Sequence, residues 1–230
     1  DSKTTTKKIT FCSVNKLKNI VINSIKEGNI INDMRDMVNE PANTMNSDYF
    51  LKYVKTLKEN GLKLEIMKKS KLKKEKMNLI LAVNSGSKNE PYLLTLKWMP
   101  LKNKKPIVLL GKGVTFDSGG MNLKFGDFTD MKTDMTGAAA AFALLRFCAV
   151  NKIKKNVIAL IPLVENMLNE KAHRPGDVIK SHSGKNVEIS NTDAEGRLIL
   201  ADSLSYSKKL KPCCLIDIAT LTGQAGSIFD

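Results

Sequence analysis

The chain has 230 residues, of which 42% are hydrophobic, so it can bury a sizeable core as one large domain or two small ones. It contains no run of 18 apolar residues of the kind that spans a membrane. The formal net charge is +14, but the lysines are scattered and lack interleaved aromatic residues, so we expect nucleic-acid binding to be absent or weak.

Two helices are predicted near the start of the chain. Apolar residues recur at helical spacing over 16–37, with a break expected at Gly28-Asn29 and an end at Glu40-Pro41. Ser47 is a suitable N-cap for a second helix that runs through Leu57.

Apolar runs predict a series of strands after these helices. The predicted strands are 62–67, 77–83, 92–98, 107–110, 157–164 and 215–219, and further helices are predicted at 135–150 and 198–210. The glycine-rich segment 111–120 is interpreted as a loop that follows a strand. Strands that alternate with helices predict an α/β fold with a mixed, largely parallel central sheet flanked by helices on both faces.

Two polar segments contain the candidate chemistry. Asp193 and Glu195 are two positions apart, so they point to the same side of an extended segment. Asp117 and Asp134 lie in a second block of polar residues, and hard divalent ions prefer several carboxylate oxygens. Each carboxylate alone is equally compatible with a helix cap, a turn or a solvated charge. Spacing therefore predicts a carboxylate metal site in an α/β enzyme without identifying a substrate.

Other kinds of site fit the sequence less well. The segment that contains Lys112 lacks the spacing of a phosphate-binding P-loop. Only His173 and His182 are histidines, which argues against a histidine-rich zinc site and against a serine–histidine–aspartate triad. Cysteines 12, 148, 213 and 214 show no metal-site spacing and indicate free thiols in a reducing compartment.

A resemblance to a known family covers about residues 35 to 226. Residues 111–120 (GKGVTFDSGG) and 191–198 (NTDAEGRL) resemble the two hallmark blocks of the leucine aminopeptidase, or cytosol aminopeptidase, family. Shorter matches occur at 39–43, 165–167, 174–178 and 219–223. The resemblance implies a zinc-exopeptidase-like α/β fold and a two-metal aminopeptidase that releases leucine-like N-terminal residues from peptides.

The resemblance also assigns metal ligands and catalytic residues. Lys112, Asp117, Asp134 and Glu195 would hold one ion, and Asp117, Asp193 and Glu195 would hold the other. The ions would be zinc or manganese, with magnesium a further candidate. Lys124 would be the catalytic lysine that stabilises the oxyanion, and Arg197 would hold a bicarbonate that acts as the general base.

The same positional match implies a substrate pocket. Met131, Thr220 and Gly223 would line the pocket for the first side chain, and Asn191 and Ala194 would face the residue after the cut. The carbonyl of Leu221 would lie along the bound peptide. The match also implies a cytoplasmic homohexamer that acts on peptide substrates.

The chain departs from the family pattern in several places. The spacing from Lys124 to Asp134 is shorter than in most family members, which affects the loop 125–130 beside the pocket, and Ser47-Asp48 replaces an expected proline. We expect residues 1–10 to be the remnant of a linker and 11–230 to be part of a catalytic domain, incomplete at the C-terminus and without the family's N-terminal domain. The alternative function is a noncatalytic scaffold of this family that binds nucleic acid through its basic surface.

Overall fold

A computed structural model describes residues 17–56, 61–223 and 228. The strands are β1 (Leu62–Met67), β2 (Tyr92–Trp98), β3 (Ile107–Gly111), β4 (Gly113–Asp117), β5 (Val157–Asn166), β6 (Val178–Lys180), β7 (Asn186–Glu188) and β8 (Cys214–Ile218). The α-helices are α1 (Lys18–Asn39), α2 (Ser47–Thr56), α3 (Lys69–Lys74), α4 (Asn78–Val83), α5 (Thr136–Val150) and α6 (Glu195–Ser207). Short 3₁₀ turns occur at Asn84–Gly86, Thr129–Thr133 and Lys208–Leu210.

The central sheet is mixed, as predicted. Its strand order is β1-β2-β5-β3-β8, and β4 also pairs with β5. The pairs β1–β2 and β2–β5 are antiparallel, whereas β5 is parallel to β3 and β4, and β3 is parallel to β8. The parallel strands therefore end at one edge of the sheet, where ligands commonly bind in α/β folds.

Strand β5 separates two layers of apolar side chains. Val157 and Ala159 belong to a core that includes Met37 of α1, residues of α2, and Phe142 of α5. Ile158 and Leu160 point to the opposite face and pack in a cluster with Leu200 of α6. Because both faces of β5 are covered by helices, its sequence is apolar from Val157 to Val164, which explains why this strand was predictable.

Lys112 interrupts what would otherwise be one long strand. Its backbone N–H donates to the carbonyl of Ile218 at 3.0 Å, and its own carbonyl accepts the N–H of Ala138 at 2.8 Å. A Cβ at Gly111 would lie 2.6 Å from the Gly137 oxygen, and one at Gly113 would lie 2.4 Å from the Pro162 oxygen. The two glycines therefore allow the close packing that holds Lys112 at the sheet edge.

Two predictions about strands were wrong. The segment 77–83, predicted as a strand, is the helix α4, and the Asp202 carboxylate accepts the N–H groups of Leu79 and Ile80 at 2.9 and 3.3 Å. A short, uniformly apolar run does not distinguish a buried strand from a buried helix. The segment 111–120, predicted as a loop, contains β4, because β5 is long enough to pair with a second strand beyond Lys112.

The details of the first two helices also differ from the prediction. α1 continues through Gly28 without a break, and ends at Asn39 before Pro41 as expected. Ser47 lies within α2 and donates to the carbonyl of Glu90 at 2.6 Å. The side chain of Asn46 takes the capping role, since its oxygen accepts the N–H of Tyr49 at 3.0 Å. The predicted linker at 1–10 and the predicted end at Leu57 lie outside the described residues.

One described segment passes a simple test for a membrane span. The most apolar stretch of 18 residues within Thr129–Val150 has a mean hydropathy of 1.3, yet 61% of that stretch is buried inside the fold. This burial is typical of a helix in the core of a domain.

In the described part of the chain, Cys148, Cys213 and Cys214 are free thiols.

Candidate metal centre

A cleft of about 590 Å³ opens at the carboxyl edge of the parallel strands. Lys112 follows β3, Asp117 ends β4, and Glu195 begins α6. The residues that line the cleft are Lys112, Asp117, Lys124, Met131, Thr133, Asp134, Asp193, Glu195 and 219–223. The fold thus brings together the five residues that the resemblance implies as metal ligands, together with Lys124.

Lys112 lies at the deep end of this cleft. Its Nζ is 2.7 Å from Asp134 Oδ1 and 2.9 Å from Glu195 Oε1, and it donates to the Thr220 carbonyl at 2.7 Å. The side chains of Lys112, Asp134 and Glu195 are each at most 5% exposed. A Cβ at Gly196 would lie 2.7 Å from Lys112 Cε, so a larger residue where α6 passes this side chain would displace the Lys112 ammonium group.

Lys124 joins the other two carboxylates nearer to the surface. Its Nζ lies 2.8 Å from Asp117 Oδ2 and 2.5 Å from Asp193 Oδ1. Asp193 is the most accessible of the four acidic side chains at 31% exposed, whereas Asp117 is 4% exposed. The cluster therefore has a buried end at Lys112 and a partly open end at Lys124.

The donor set fits divalent cations. Oxygen atoms of Asp117, Asp193 and Glu195 all lie within 4.8 Å of one another. Asp134 Oδ2 and Glu195 Oε2 are buried and accept no hydrogen bond from the described residues. Buried carboxylate oxygens without partners are costly, and they are the ligand type that hard divalent ions prefer.

The charges within the cluster support the same interpretation. Burial raises the pKa of Asp134 even though Lys112 opposes the shift, and burial also raises the pKa of Asp193. Burial alone would lower the pKa of Lys112, but Glu195 and Asp134 outweigh it and the net pKa is raised. Four carboxyl groups thus share two lysines, and the raised pKa values of Asp134 and Asp193 mean that burial opposes their ionisation unless a further cation is bound.

Two polar residues at the site were not assigned a role from the sequence. Asn166, at the end of β5, donates to Asp117 Oδ1 at 2.8 Å and to the Thr192 carbonyl at 3.0 Å. The buried Thr192 hydroxyl donates to the Gly119 carbonyl at 2.6 Å. Asn166 therefore ties Asp117 to the segment that carries Asp193. Its position at the carboxyl end of an apolar strand was the available signal.

The remaining predicted residues divide between the cleft and its surroundings. Met131, Thr220, Leu221 and Gly223 line the cleft, and Asn191 lines an adjoining depression. Ala194 and Arg197 do not line either of these cavities. Arg197 is exposed on the first turn of α6, and no hydrogen bond or ion pair joins it to the described residues.

Known proteins resemble this chain in both sequence and fold. Residues 32–229 match the family model described as the cytosol aminopeptidase family, catalytic domain. A probable cytosol aminopeptidase of Phytoplasma australiense is 46% identical over 196 residues, covering 84% of this chain and 40% of the relative. One from Mycoplasma genitalium is 44% identical over 209 residues, covering 87% of this chain and 47% of the relative.

Solved structures of similar proteins share the fold. The bottromycin maturation enzyme BotP in complex with Mn superposes with a TM-score of 0.85 at 34% identity, covering 93% of this chain and 48% of that one. The cytosol aminopeptidase from Coxiella burnetii gives a TM-score of 0.83 at 38% identity, covering 89% and 45%. This chain spans less than half the length of each of these four proteins. The fold, the carboxylate-rich cleft and the family match together show that the chain belongs to the cytosol aminopeptidase family.

Proposed function

We propose that the protein releases N-terminal amino acids, leucine-like ones preferred, from peptides with the help of two divalent metal ions. The observation that carries this proposal is the buried cluster of four carboxylates and two lysines at the end of the parallel strands. The unpartnered oxygens of Asp134 and Glu195 support a role in cation binding rather than in fold stability.

The family resemblance implies the metal ligands, and the cluster supports that assignment. Lys112, Asp117, Asp134 and Glu195 would hold one ion, and Asp117, Asp193 and Glu195 the other. Lys112 would bind as the neutral amine, because the adjacent cations would lower its pKa and displace its proton. Zinc, manganese and magnesium are all compatible with such a donor set, and one similar structure holds Mn. When bound, the ions supply a Lewis acid and an acidified water at neutral pH.

Lys124 has the position of a residue that stabilises developing negative charge. Its ammonium group lies at the more open end of the cluster and is 21% exposed, so it is accessible to a bound peptide. The carboxylates of Asp117 and Asp193 raise its pKa against the opposing effect of burial. Lys124 therefore remains positively charged at neutral pH and would stabilise the oxyanion that forms at the scissile carbonyl.

Arg197 would hold the bicarbonate that serves as the general base. Arg197 is exposed and lies two residues after Glu195, in the N-terminal turn of α6. A planar guanidinium matches a small oxyanion through two parallel hydrogen bonds. The N-terminus of α6 would favour the same negative charge.

The cleft offers surfaces for the substrate on both sides of the cluster. Met131, Thr220 and Gly223 would contact the first side chain, and the Leu221 carbonyl would accept a hydrogen bond from the peptide. Asn191 and Ala194 would contact the residue after the cut. A cytoplasmic location is expected for the whole protein, because the similar proteins carry the name cytosol aminopeptidase. The homohexamer is expected from the family resemblance alone.

The direct test is hydrolysis of leucyl amide by the full-length protein with manganese or zinc. We expect release of leucine that is lost on chelation and abolished by Asp193→Ala. Glu188→Ala is the matched control, because Glu188 is an exposed carboxylate on β7 away from the cleft. Absence of release, or equal release by the Asp193→Ala variant, would refute the proposed function.

A further inference from the structure

The segment 121–125 contains both residues that bond to the metal centre and apolar side chains that face solvent. Lys124 points inward to the carboxylates, and Asn122, although exposed, is hydrogen-bonded to Thr192. Met121 and Leu123 are 46% and 44% exposed, and Phe125 is fully exposed at 101%. The backbone turns at Met121 and bends at Asn122 before it reaches Lys124, and the three apolar side chains are exposed along this path.

This segment is held firmly against the site. The Asn122 N–H donates to Thr192 Oγ1 at 2.8 Å, and the Asn122 side-chain oxygen accepts the Thr192 N–H at 2.8 Å. The Lys124 N–H donates to the Ser118 carbonyl at 3.0 Å. The outward direction of Met121, Leu123 and Phe125, hereafter the apolar shelf, is therefore fixed by the same hydrogen bonds that place Lys124.

The apolar shelf borders a second depression that is continuous with the catalytic cleft. This depression measures about 800 Å³ and is lined by all three shelf residues and by Phe128. Lys124, Met131 and Asp193 line both the depression and the cleft, and Asn191 lies on the side of the depression. No described residue covers the shelf, although single exposed apolar residues elsewhere, such as Val178 at 64%, are ordinary.

We propose that the apolar shelf binds large apolar side chains of the two residues that follow the cut, so that the enzyme prefers such peptides. This inference rests on the proposed function. An aminopeptidase holds one residue before the cut, and the rest of the peptide must leave the metal centre through adjoining open space. The depression beside Lys124 and Asp193 is such a space, and burial of an apolar side chain on the shelf stabilises the complex.

The test compares tripeptides that differ only after the cut. The full-length protein is assayed with Leu-Phe-Gly against Leu-Ser-Gly, and with Leu-Gly-Phe against Leu-Gly-Ser. We expect kcat/KM to favour phenylalanine by roughly tenfold or more in at least one pair, mainly through KM, as for other apolar subsites. Phe125→Ser and Leu123→Ser should each reduce that ratio, whereas Val178→Ser should leave it unchanged.

The outcomes separate this inference from the proposed function. If the protein hydrolyses leucyl amide but the kcat/KM ratios of both tripeptide pairs are near one, the inference about the apolar shelf is wrong. The proposed aminopeptidase function is then unaffected. Failure to hydrolyse leucyl amide would overturn both. If Phe125→Ser instead alters the sedimentation coefficient while the ratios stay unchanged, the shelf is a contact between copies of the chain and the inference is wrong. If one serine variant does not fold, the other provides the comparison, and wild-type ratios near one overturn the inference without any variant.

Discussion

Lys112 Nζ and Glu195 Oε1 lie 2.9 Å apart, and both side chains are only 3% exposed. The first follows β3 and the second begins α6, so the contact joins the sheet to a helix at the candidate metal centre. The ammonium group also lies 2.7 Å from Asp134, and it neutralises part of the buried negative charge.

Replacement of Lys112 by methionine should destabilise the metal-free protein strongly. The change leaves two buried carboxylates without their counter-charge, and breaking such a pair costs about 3–5 kcal/mol. Urea titration in a chelating buffer measures the free energy of unfolding. Lys97→Met is the control, since the ion pair of Lys97 with the exposed Glu65 contributes about 1 kcal/mol or less. Equal effects of the two substitutions would contradict this account of Lys112.

Divalent metal should stabilise the folded protein through Asp193. A ligand at a hundredfold excess over its Kd stabilises the native state by about 2.7 kcal/mol. We expect Tm to rise on addition of manganese or zinc, and the rise to be largely lost in Asp193→Asn. Glu188→Gln, which removes an exposed charge on β7, should keep the full rise. A shift that persists in Asp193→Asn would mean that the ions bind elsewhere.

Asn166 should act as a positioning residue for Asp117. Its amide holds one oxygen of Asp117 at 2.8 Å, and loss of such a supporting hydrogen bond typically weakens metal binding roughly 10- to 100-fold. Isothermal titration calorimetry of Asn166→Ala with manganese measures this loss. The matched substitution Asn151→Ala removes an exposed amide at the end of α5 and should not change the Kd. Unchanged affinity in Asn166→Ala would remove Asn166 from the site.

Alanine substitutions at two helical glycines should change the free energy of unfolding in opposite directions. A Cβ at Gly137 in α5 would lie 2.0 Å from the Ile218 oxygen, so Gly137→Ala must separate α5 from β8 and destabilise the fold. Gly28 in α1 has nothing within 4 Å of the added Cβ, and Gly28→Ala should stabilise the helix by about 0.5–1 kcal/mol. Urea titration of both variants measures the difference. Stabilisation by Gly137→Ala would show that the packing of α5 on β8 is looser than described.

The sequence predicted those elements whose pattern of apolar residues is compatible with only one kind of secondary structure. β5 is apolar on both faces from Val157 to Val164 and was identifiable. α4 is also apolar after Asn78, and the carboxylate of Asp202 that accepts its first N–H groups is far away in the chain. β4 was missed because its glycines and polar residues are typical of a loop. Its strand geometry comes from pairing with β5, which is a tertiary effect.

The site was predictable only where residues are neighbours in the chain or match a family block. The spacing of Asp193 and Glu195 indicated one shared side, but their approach to Lys112 and Asp117 depends on the topology of the sheet. The bond from Asn166 to Asp117 and the carbonyl of Thr220 on Lys112 are also tertiary contacts. Local spacing contains no information on such contacts, and the family resemblance supplied the ligand set.

The most direct measurement is the number of metal ions per chain, determined by elemental analysis of the full-length protein alongside its hydrolysis of leucyl amide. The account predicts two ions per chain, lost together with activity on chelation and regained together on addition of manganese or zinc. In Glu195→Ala, which removes a ligand proposed to bridge the two ions, both metal content and activity should fall. Activity that persists in a fully metal-free protein would contradict the proposed metal centre.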